Sequence, residues 1–320
     1  MPPTTRIVML GTGDFALPTF EHLCDEGARV IALVTQPDRP QGRKQERIPS
    51  PIKLAAIERR IPVEQPENVN APEAVDRIRA LTPDLLVTAA YGQILSPELL
   101  SLPPLGGINL HGSVLPAYRG AAPVARAIEN GDRETGVTVI RMTPRIDAGG
   151  MIAFARTPID PDETSGDLED RLARLGAPLV ARAIADLVDG RARILPQAKF
   201  LVTKAPKLRK EDGEIDWSAS SAAVHNRIRA MQPWPTASTF WHRRDSPAEA
   251  PVRLIVHRTS PVEGEGRAGE VLEAYADRLI VAAGAGAVRL LTVQVPGKKP
   301  AAVAEFLRGY HILPGDRMGR

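Results

Sequence analysis

The chain has 320 residues, 43% of them hydrophobic and 25% charged, with a net charge of +3. This is close to an average globular composition, so it excludes a fibrous repeat and global disorder, and the length predicts two domains. No apolar run approaches the ~18–20 residues that a membrane span needs, which argues against an integral membrane protein.

Nothing in the sequence indicates export. The segment 1–15 lacks a basic region followed by an apolar stretch and a small-residue cleavage site, and it runs directly into a strand-like segment. Cys24 is the only cysteine, so intrachain disulfides are excluded and a cysteine-based metal site is not expected. We therefore expect a cytoplasmic protein.

The positive charge is concentrated in one segment. Residues 1–189 carry 20 Lys and Arg against 25 Asp and Glu, and residues 211–320 carry 14 against 13. Residues 190–210 carry seven basic residues and no acidic ones. Such a segment could contact a polyanion, or it could be a solvated linker that happens to be basic. Charge alone leaves both interpretations open.

The first half of the sequence alternates between strand-like and helix-like stretches. Short β-rich runs indicate strands, and apolar residues at near-helical spacing indicate helices. The predicted strands cover 6–11, 30–36, 61–66, 84–90, 107–113, 137–142 and 151–159, and the predicted helices cover 15–27, 51–60, 72–81 and, as one or two helices, 167–190. This alternation predicts an α/β domain with a mostly parallel sheet and helices on both faces.

The pattern changes after Gly190. Short β-type runs at 253–259, 269–284 and 287–295 are separated by Gly and Pro at the spacing of a small barrel or sandwich. A short helix is predicted at 301–310. The change predicts a domain boundary near 190–208.

The segment Gly11–Ala16 matches the GxGxxA form of the dinucleotide fingerprint. A helix N-terminus there would bind pyrophosphate well. The ribose-binding acid expected about 20 residues later is missing, because the second strand ends in Thr35-Gln36-Pro37 and Asp38 comes late. A nicotinamide or flavin site therefore remains an alternative to a plain strand-to-helix turn.

Asn109 and His111 are the most informative polar residues. They are two positions apart on a predicted strand, so their side chains point to the same face, at the carboxyl end where open α/β sheets bind ligands. Gly112 and Ser113 then turn the chain. The alternative is a buried polar pair that satisfies its hydrogen bonds internally.

Asp147, in a glycine-containing segment before an apolar strand, is a third candidate. It could be an ordinary turn residue, or a carboxylate that fixes the tautomer of His111 and raises its pKa for acid–base work or oxyanion stabilisation. His111 is the only imidazole of the three residues, so they are a poor metal set and we predict no metal. The sequence has no GxSxG elbow, and Cys24 has no motif, which argues against covalent catalysis.

Several motifs together resemble the methionyl-tRNA formyltransferase family. They are TQPDRPQGR, AYGQIL, GINLHGSVLPAYRGAAPVARAI, ETGVTVIRM, DETSGDL, KLRKEDGEIDW and RAMQPWP. The resemblance runs from about residue 6 to the C-terminal helix. The 109–123 loop is shared with other 10-formyltetrahydrofolate enzymes, whereas the TQPDRP loop, the KEDGEIDW segment and the C-terminal part narrow the resemblance to this family.

The resemblance implies a catalytic triad of Asn109, His111 and Asp147. Four residues correspond to the folate-binding stretch of the family, namely Ser113, Val114, Leu115 and Pro116. It also implies a Rossmann-like catalytic domain at 1–189, a basic linker at 190–208 and an OB-like tRNA-binding domain at 209–320. Two departures, Ala148 and Gly150, remove a hydroxyl and a second carboxylate that the family often has near Asp147.

The resemblance further implies that the loop 36–50 contacts the tRNA acceptor end. The residues expected to bind tRNA are Arg43, Lys44, Lys204, Lys207, Arg209 and Lys210. The expected reaction moves the formyl group of 10-formyltetrahydrofolate, a co-substrate, to the amino group of initiator methionyl-tRNA. No tightly bound cofactor and no membrane partner are expected, and the expected working unit is a monomer.

Three alternatives remain open. A related formyltransferase acting on a small amine, such as a nucleotide or an amino sugar, would share the triad but would have no use for the basic segment. A non-catalytic tRNA-binding protein on the same scaffold would keep the triad as structure. A dehydrogenase built on the Gly11–Ala16 turn would bind nicotinamide.

Overall fold

The computed structural model describes residues 4–41, 46–246 and 248–320. The strands are β1 (Arg6–Gly11), β2 (Arg29–Val34), β3 (Pro40–Gln41), β4 (Glu46–Arg47), β5 (Val63–Glu64), β6 (Leu85–Ala89), β7 (Gly107–His111), β8 (Arg119–Gly120), β9 (Glu134–Arg141), β10 (Met151–Pro158), β11 (Lys204–Ala205), β12 (Ala237–His242), β13 (Val252–Val262), β14 (Val271–Tyr275), β15 (Arg278–Ala282), β16 (Ala287–Gln294), β17 (Ala301–Ala302) and β18 (Arg317–Met318). The helices are α1 (Leu17–Asp25), α2 (Pro51–Glu58), α3 (Pro72–Ala80), α4 (Pro97–Ser101), α5 (Pro123–Glu129), α6 (Ser165–Val188), α7 (Ser221–Ala230) and α8 (Val303–Gly309), with 3₁₀ turns at Lys199–Leu201 and Lys210–Gly213.

The chain forms two compact units. The first unit comprises the residues up to Pro123, Glu134–Pro158 and Glu169–Ala205, and the second comprises Val124–Arg133, Ile159–Leu168 and Pro206–Arg320. The segments 124–133 and 159–168, which the sequence prediction assigns to the N-terminal domain, thus group by compactness with the C-terminal residues. The domain limits 1–189, 190–208 and 209–320 stay a prediction.

Seven strands of the first unit form one sheet in the order β10-β9-β7-β6-β1-β2-β5. β5, β2, β1, β6 and β7 are parallel, whereas β9 and β10 run antiparallel to their neighbours. Residues 142–150 connect β9 to β10, which is shorter than the crossover that a parallel pair requires. The prediction of a mostly parallel α/β sheet is confirmed.

Helices cover both faces of this sheet. On one face, Val75 and Ile78 of α3 pack with Leu86 of β6. On the other face, Gly176 of α6 lies against Leu110 of β7, so closely that a Cβ at position 176 would be 2.5 Å from Leu110 Cδ2. The predicted helical region 167–190 is a single helix, α6, which tolerates Pro178 in its interior at the loss of one backbone hydrogen bond.

The second unit contains an antiparallel sheet in the order β14-β15-β16-β13-β12-β18, with β17 paired to β16. Its two ends meet, because Glu270 and Arg317 form an antiparallel bridge and the Val271 N–H donates to the Asp316 carbonyl at 2.9 Å. This near closure confirms the predicted small barrel after the α/β sheet. Among the described residues, no helix has the length and apolar character that crossing a bilayer requires.

An ion-pair network within the second unit holds the segment 124–133. The Glu129 carboxylate accepts from Arg126 at 2.7 Å and from Arg227 at 2.6 Å. Arg126 also donates to Asp212 at 2.9 Å. These side chains are largely buried, so the two residues of α5 are fixed to later parts of the chain.

Tyr91, just beyond β6, offers a stability test away from the polar residues discussed above. It is 4% exposed, its hydroxyl has no hydrogen-bond partner among the described residues, and burial raises its pKa. Because an unpaired buried hydroxyl costs about 1–3 kcal/mol, we expect Tyr91→Phe to leave the free energy of unfolding unchanged or to raise it by about 1 kcal/mol. Urea unfolding would measure this, and a loss above about 1 kcal/mol would show that the hydroxyl has a partner.

Candidate active site

His111 ends β7 at the carboxyl edge of the parallel strands. Its ring is 6% exposed, and Nε2 lies 2.9 Å from the carbonyl oxygen of Tyr118. A carbonyl can only accept, so Nε2 carries a proton and Nδ1 is the nitrogen that gains or loses one. Nδ1 lies 3.6 Å from Asp147 Oδ2, which is beyond hydrogen-bond length. The tautomer is therefore set by the Tyr118 carbonyl and not, as the sequence suggested, by Asp147.

Asp147 is held beside His111 by backbone groups of distant segments. Its φ is +48°, in the left-handed region, and its Oδ2 accepts from the Gly120 N–H at 2.9 Å. Gly120 has φ +127°, and a Cβ there would collide with the Ala205 carbonyl oxygen. Only glycine can bring this N–H to the carboxylate, so Gly120 positions Asp147.

Asn109 is the direct register partner of Thr88 across the β6–β7 ladder. The Thr88 hydroxyl is 2.7 Å from Asn109 Oδ1 and 3.2 Å from the Ile108 carbonyl oxygen. It has one proton, and the shorter contact makes Asn109 Oδ1 the acceptor. The Asn109 Nδ2 group then faces away from Thr88, with no hydrogen-bond acceptor among the described residues. The site thus presents a free amide donor.

The predicted folate stretch is a loop shaped by one buried hydroxyl. Thr138 Oγ1 donates to the Ser113 carbonyl at 2.7 Å and accepts from the Leu115 N–H at 3.0 Å. The Ser113 hydroxyl donates to the Ala117 carbonyl at 2.7 Å. Ser113 and Leu115 are buried and shape the loop, whereas Val114 and Pro116 keep exposed surface for a ligand.

Gly150, which the resemblance singled out as a departure near Asp147, is tightly packed. A Cβ at position 150 would collide with Ile194 Cγ2, so the side chain of Ile194 occupies that space. A side chain at position 150 would therefore require Ile194 to move. The described residues contain no cluster of three or more His, Cys, Asp or Glu that could hold a metal ion.

The predicted tRNA-binding residues divide into two groups. Arg43 and Lys44 lie outside the described residues. Lys204, Lys207, Arg209 and Lys210 are exposed, and none of them has an ion-pair partner in the described part of the chain. Lys210 also lines a cavity of about 700 Å³ in the second unit, together with Arg227, Arg253, Arg317 and Arg320.

The base of the predicted acceptor-end loop is fixed by polar contacts. Lys53 donates to Asp38 Oδ2 at 2.6 Å, and the Gln65 side-chain amide donates to Asp38 Oδ1 at 3.0 Å. These contacts hold the pKa of the Asp38 carboxyl below its usual range. Asp38 therefore anchors the base of the loop. Because its carboxylate is paired with Lys53, it should contribute little to the repulsion of a polyanion.

Sequence reasoning missed three residues that position the site. Thr88 and Thr138 are polar residues inside buried strands, a signal that could have flagged them. Gln197 gave no signal, yet its amide nitrogen donates to the carbonyl oxygens of Asp147 at 2.8 Å and Gly149 at 2.7 Å.

Comparison with known proteins identifies the family. The family model described as formyl transferase matches residues 5–184, and the model of the formyl transferase C-terminal domain matches residues 207–311. The methionyl-tRNA formyltransferase of Citrifermentans bemidjiense is 43% identical over 98% of this chain and 96% of its own length. The chain belongs to the methionyl-tRNA formyltransferase family. The enzyme of Geotalea uraniireducens is likewise 43% identical, over 98% of both chains.

A solved structure has the same fold at much lower identity. WlaRD, a sugar 3N-formyl transferase crystallised in the presence of dTDP and 5-N-formyl-THF, has a TM-score of 0.66 and 18% identity, covering 92% of this chain and 99% of its own. This similarity shows the fold alone. Family membership confirms that the protein is a formyltransferase, and it disfavours the dehydrogenase alternative.

Proposed function

We propose that the protein transfers the formyl group from N10 of 10-formyltetrahydrofolate to the α-amine of methionine esterified to initiator tRNA. The observation that carries the proposal is the convergence of Asn109, His111 and Asp147 at the carboxyl edge of the sheet, in a member of this family. An amide donor, an imidazole and a carboxylate are the groups that acyl transfer between two nitrogens requires.

The chemistry follows from these groups. The amine attacks the formyl carbon, a C–N bond forms, and a tetrahedral intermediate develops negative charge on its oxygen. Asn109 Nδ2 donates to that oxygen, and so does His111 in the form that carries a proton on Nδ1 as well as on Nε2. The bond to N10 then breaks, and the proton lost by the amine passes to N10 with Asp147 as the relay, directly or through water. Tetrahydrofolate leaves and formylmethionyl-tRNA remains.

Binding of the tRNA is assigned to the exposed cations. Lys204, Lys207, Arg209 and Lys210 carry positive charge without acidic partners, and contacts of this kind to phosphates supply most nonspecific affinity for nucleic acids. The cavity beside Lys210 is lined by four arginines but also by Glu211, Glu214 and Asp216, so the assignment rests on the four exposed cations themselves. We assign recognition of the acceptor end to the loop 36–50, which includes Arg43 and Lys44.

The organisation proposed around this activity is that of the sequence prediction. Residues 1–189 would be the catalytic domain, 190–208 the linker and 209–320 the tRNA-binding domain. All three triad residues lie in the first unit of one chain, so no second copy is needed to complete the triad, and we propose a monomer. Light scattering of the purified protein tests that state, and cell fractionation tests the proposed cytoplasmic location.

Thr88 should influence turnover through Asn109. We expect Thr88→Val to lower kcat about threefold to tenfold, because the lost hydrogen bond of about 1 kcal/mol no longer holds the amide with Nδ2 outward. Thr88→Ser keeps the hydroxyl and should retain most activity. In an Asn109→Ala background Thr88→Val should have no further effect, so equal losses in both backgrounds would contradict the assignment.

The deciding experiment follows labelled formyl from 10-formyltetrahydrofolate to methionyl initiator tRNA, with His111→Ala as control. Labelled formylmethionyl-tRNA that disappears with the variant is the expected result. Turnover on a nucleotide or an amino sugar, without transfer to tRNA, would keep the triad and overturn the tRNA assignment. No transfer to any acceptor would favour a non-catalytic scaffold.

A further inference from the structure

Phe200 is the most exposed large hydrophobic side chain among the described residues, with 87% of its surface accessible. It lies in the 3₁₀ turn Lys199–Leu201. The neighbouring Lys199 and Lys204 are also exposed, and neither has an ion-pair partner in the described part of the molecule. A benzyl ring held in water gains nothing from burial within the chain. Leu201 beside it, and Ile194 and Leu195 earlier in the same segment, are also exposed, so this segment presents more apolar surface than one scattered side chain would.

The turn that carries Phe200 is fixed to the candidate active site at both ends. Before the turn, the Gln197 amide donates to the Asp147 carbonyl at 2.8 Å. After the turn, Thr203 Oγ1 accepts from the Tyr118 N–H at 2.8 Å, and the Tyr118 carbonyl is the partner of His111 Nε2. The turn is therefore part of the rim of the site.

We propose that Phe200 is a stacking platform for an unpaired base at the 3′ end of the aminoacylated tRNA. The inference rests on the proposed function. The methionine to be formylated is esterified to the last nucleotide, so the single-stranded 3′ end must cross the rim for the amine to reach His111. Bases there expose their faces, and aromatic side chains bind such bases by stacking. Lys199 and Lys204 are the nearest cations before and after Phe200 in the sequence, and both are exposed, so they could meet the phosphates of that strand.

The folate donor also contains aromatic rings, but the observations favour a base. Val114 and Pro116, on the loop after β7, are the partly exposed members of the predicted folate stretch, whereas Phe200 is highly exposed in a separate segment that contains exposed lysines. Measuring KM separately for the tRNA and for 10-formyltetrahydrofolate distinguishes a base from a folate ring as the group that contacts Phe200.

The experiment compares Phe200→Ala, Phe200→Leu and Phe200→Trp in formyl transfer to initiator methionyl-tRNA. Stacking of one base predicts that Phe200→Ala raises KM for the tRNA about 5-fold to 100-fold and leaves KM for 10-formyltetrahydrofolate unchanged. Phe200→Leu keeps apolar surface but loses the ring, so it should resemble Phe200→Ala, whereas Phe200→Trp should restore the wild-type value. Because the ring is exposed, thermal unfolding should not change.

Two further measurements locate the contact. The KM increase should persist on a methionylated minihelix that contains only the acceptor stem and its single-stranded 3′ end. The salt dependence of KM should keep its wild-type slope in Phe200→Ala, because stacking releases no counterions, and should weaken in Lys199→Ala and Lys204→Ala.

Several results would overturn the platform while leaving the proposed function intact. The first is that the wild-type enzyme formylates tRNA and Phe200→Ala leaves KM for the tRNA unchanged. A rise confined to the folate KM would assign the ring to the donor, and full activity of Phe200→Leu would show a simple apolar contact. Failure of the wild-type protein to formylate tRNA would instead defeat the proposed function itself.

Discussion

Asn109→Ala should lower kcat for formyl transfer about 10²–10³-fold, the usual cost of one preorganised oxyanion donor. The amide oxygen is held by Thr88 at 2.7 Å, so its nitrogen needs no reorganisation as negative charge develops on the substrate oxygen. KM for 10-formyltetrahydrofolate should change little, because this hydrogen bond strengthens only in the transition state. Single-turnover kinetics with saturating methionyl-tRNA measure the effect.

The matched control for this substitution is Asn68→Ala. Asn68 is exposed, and its side chain accepts only a local hydrogen bond from the Asn70 N–H at 3.0 Å. The control should keep the wild-type kcat. A loss below tenfold in Asn109→Ala, with the control intact, would remove Asn109 from the group that stabilises the oxyanion.

Replacing Lys204, Lys207, Arg209 and Lys210 together by alanine should flatten the salt dependence of tRNA binding. If each cation neutralises one phosphate, the slope of log affinity against log salt falls by about 3–4. Between 50 and 200 mM salt the wild-type protein should then lose about 60–250 times more affinity than the variant. Filter binding or fluorescence titration across this range measures both slopes, and single-turnover chemistry at saturating tRNA should stay close to wild type.

Four arginines with carboxylate partners provide the charge-matched control. They are Arg79, Arg156, Arg174 and Arg278, each paired with an acidic side chain. Replacing them by alanine changes the net charge by the same amount, yet their slope should follow the wild type. Equal slopes for all three proteins would refute a role of these four cations in contacting phosphates.

The sequence predicted the central part of the candidate site because strand ends are local features. Asn109 and His111 have alternating positions on an apolar strand followed by Gly112, and β7 ends at His111 as that pattern requires. The approach of Asp147 could not be derived from the residues alone. It depends on a left-handed φ at a non-glycine residue and on the N–H of Gly120, and no local propensity encodes either.

The second unit shows why other elements were missed. Helix α7 has only Val224 and Ile228 as large buried apolar residues, and its remaining buried face includes His225 and Arg229. Those side chains are satisfied by distant groups, for example the His225 ring by Thr259 at 3.0 Å. A helix stabilised by such long-range hydrogen bonds lacks the apolar periodicity from which helices are predicted.

The hydrogen bonds of Gln197 and Thr203 determine where a chimaera of this enzyme and a relative should be joined. A chimaera joined near residue 190 would exchange the side chains that hold Asp147 and Tyr118 in place. A junction after Ala205 keeps β11 paired with β8 and leaves those contacts intact, but it would exchange Asp212 and Arg227, the partners of Arg126 and Glu129 on α5. The part of the predicted linker up to Ala205 therefore belongs structurally with the candidate active site. In a chimaera, this part should come from the same parent as the residues that it contacts.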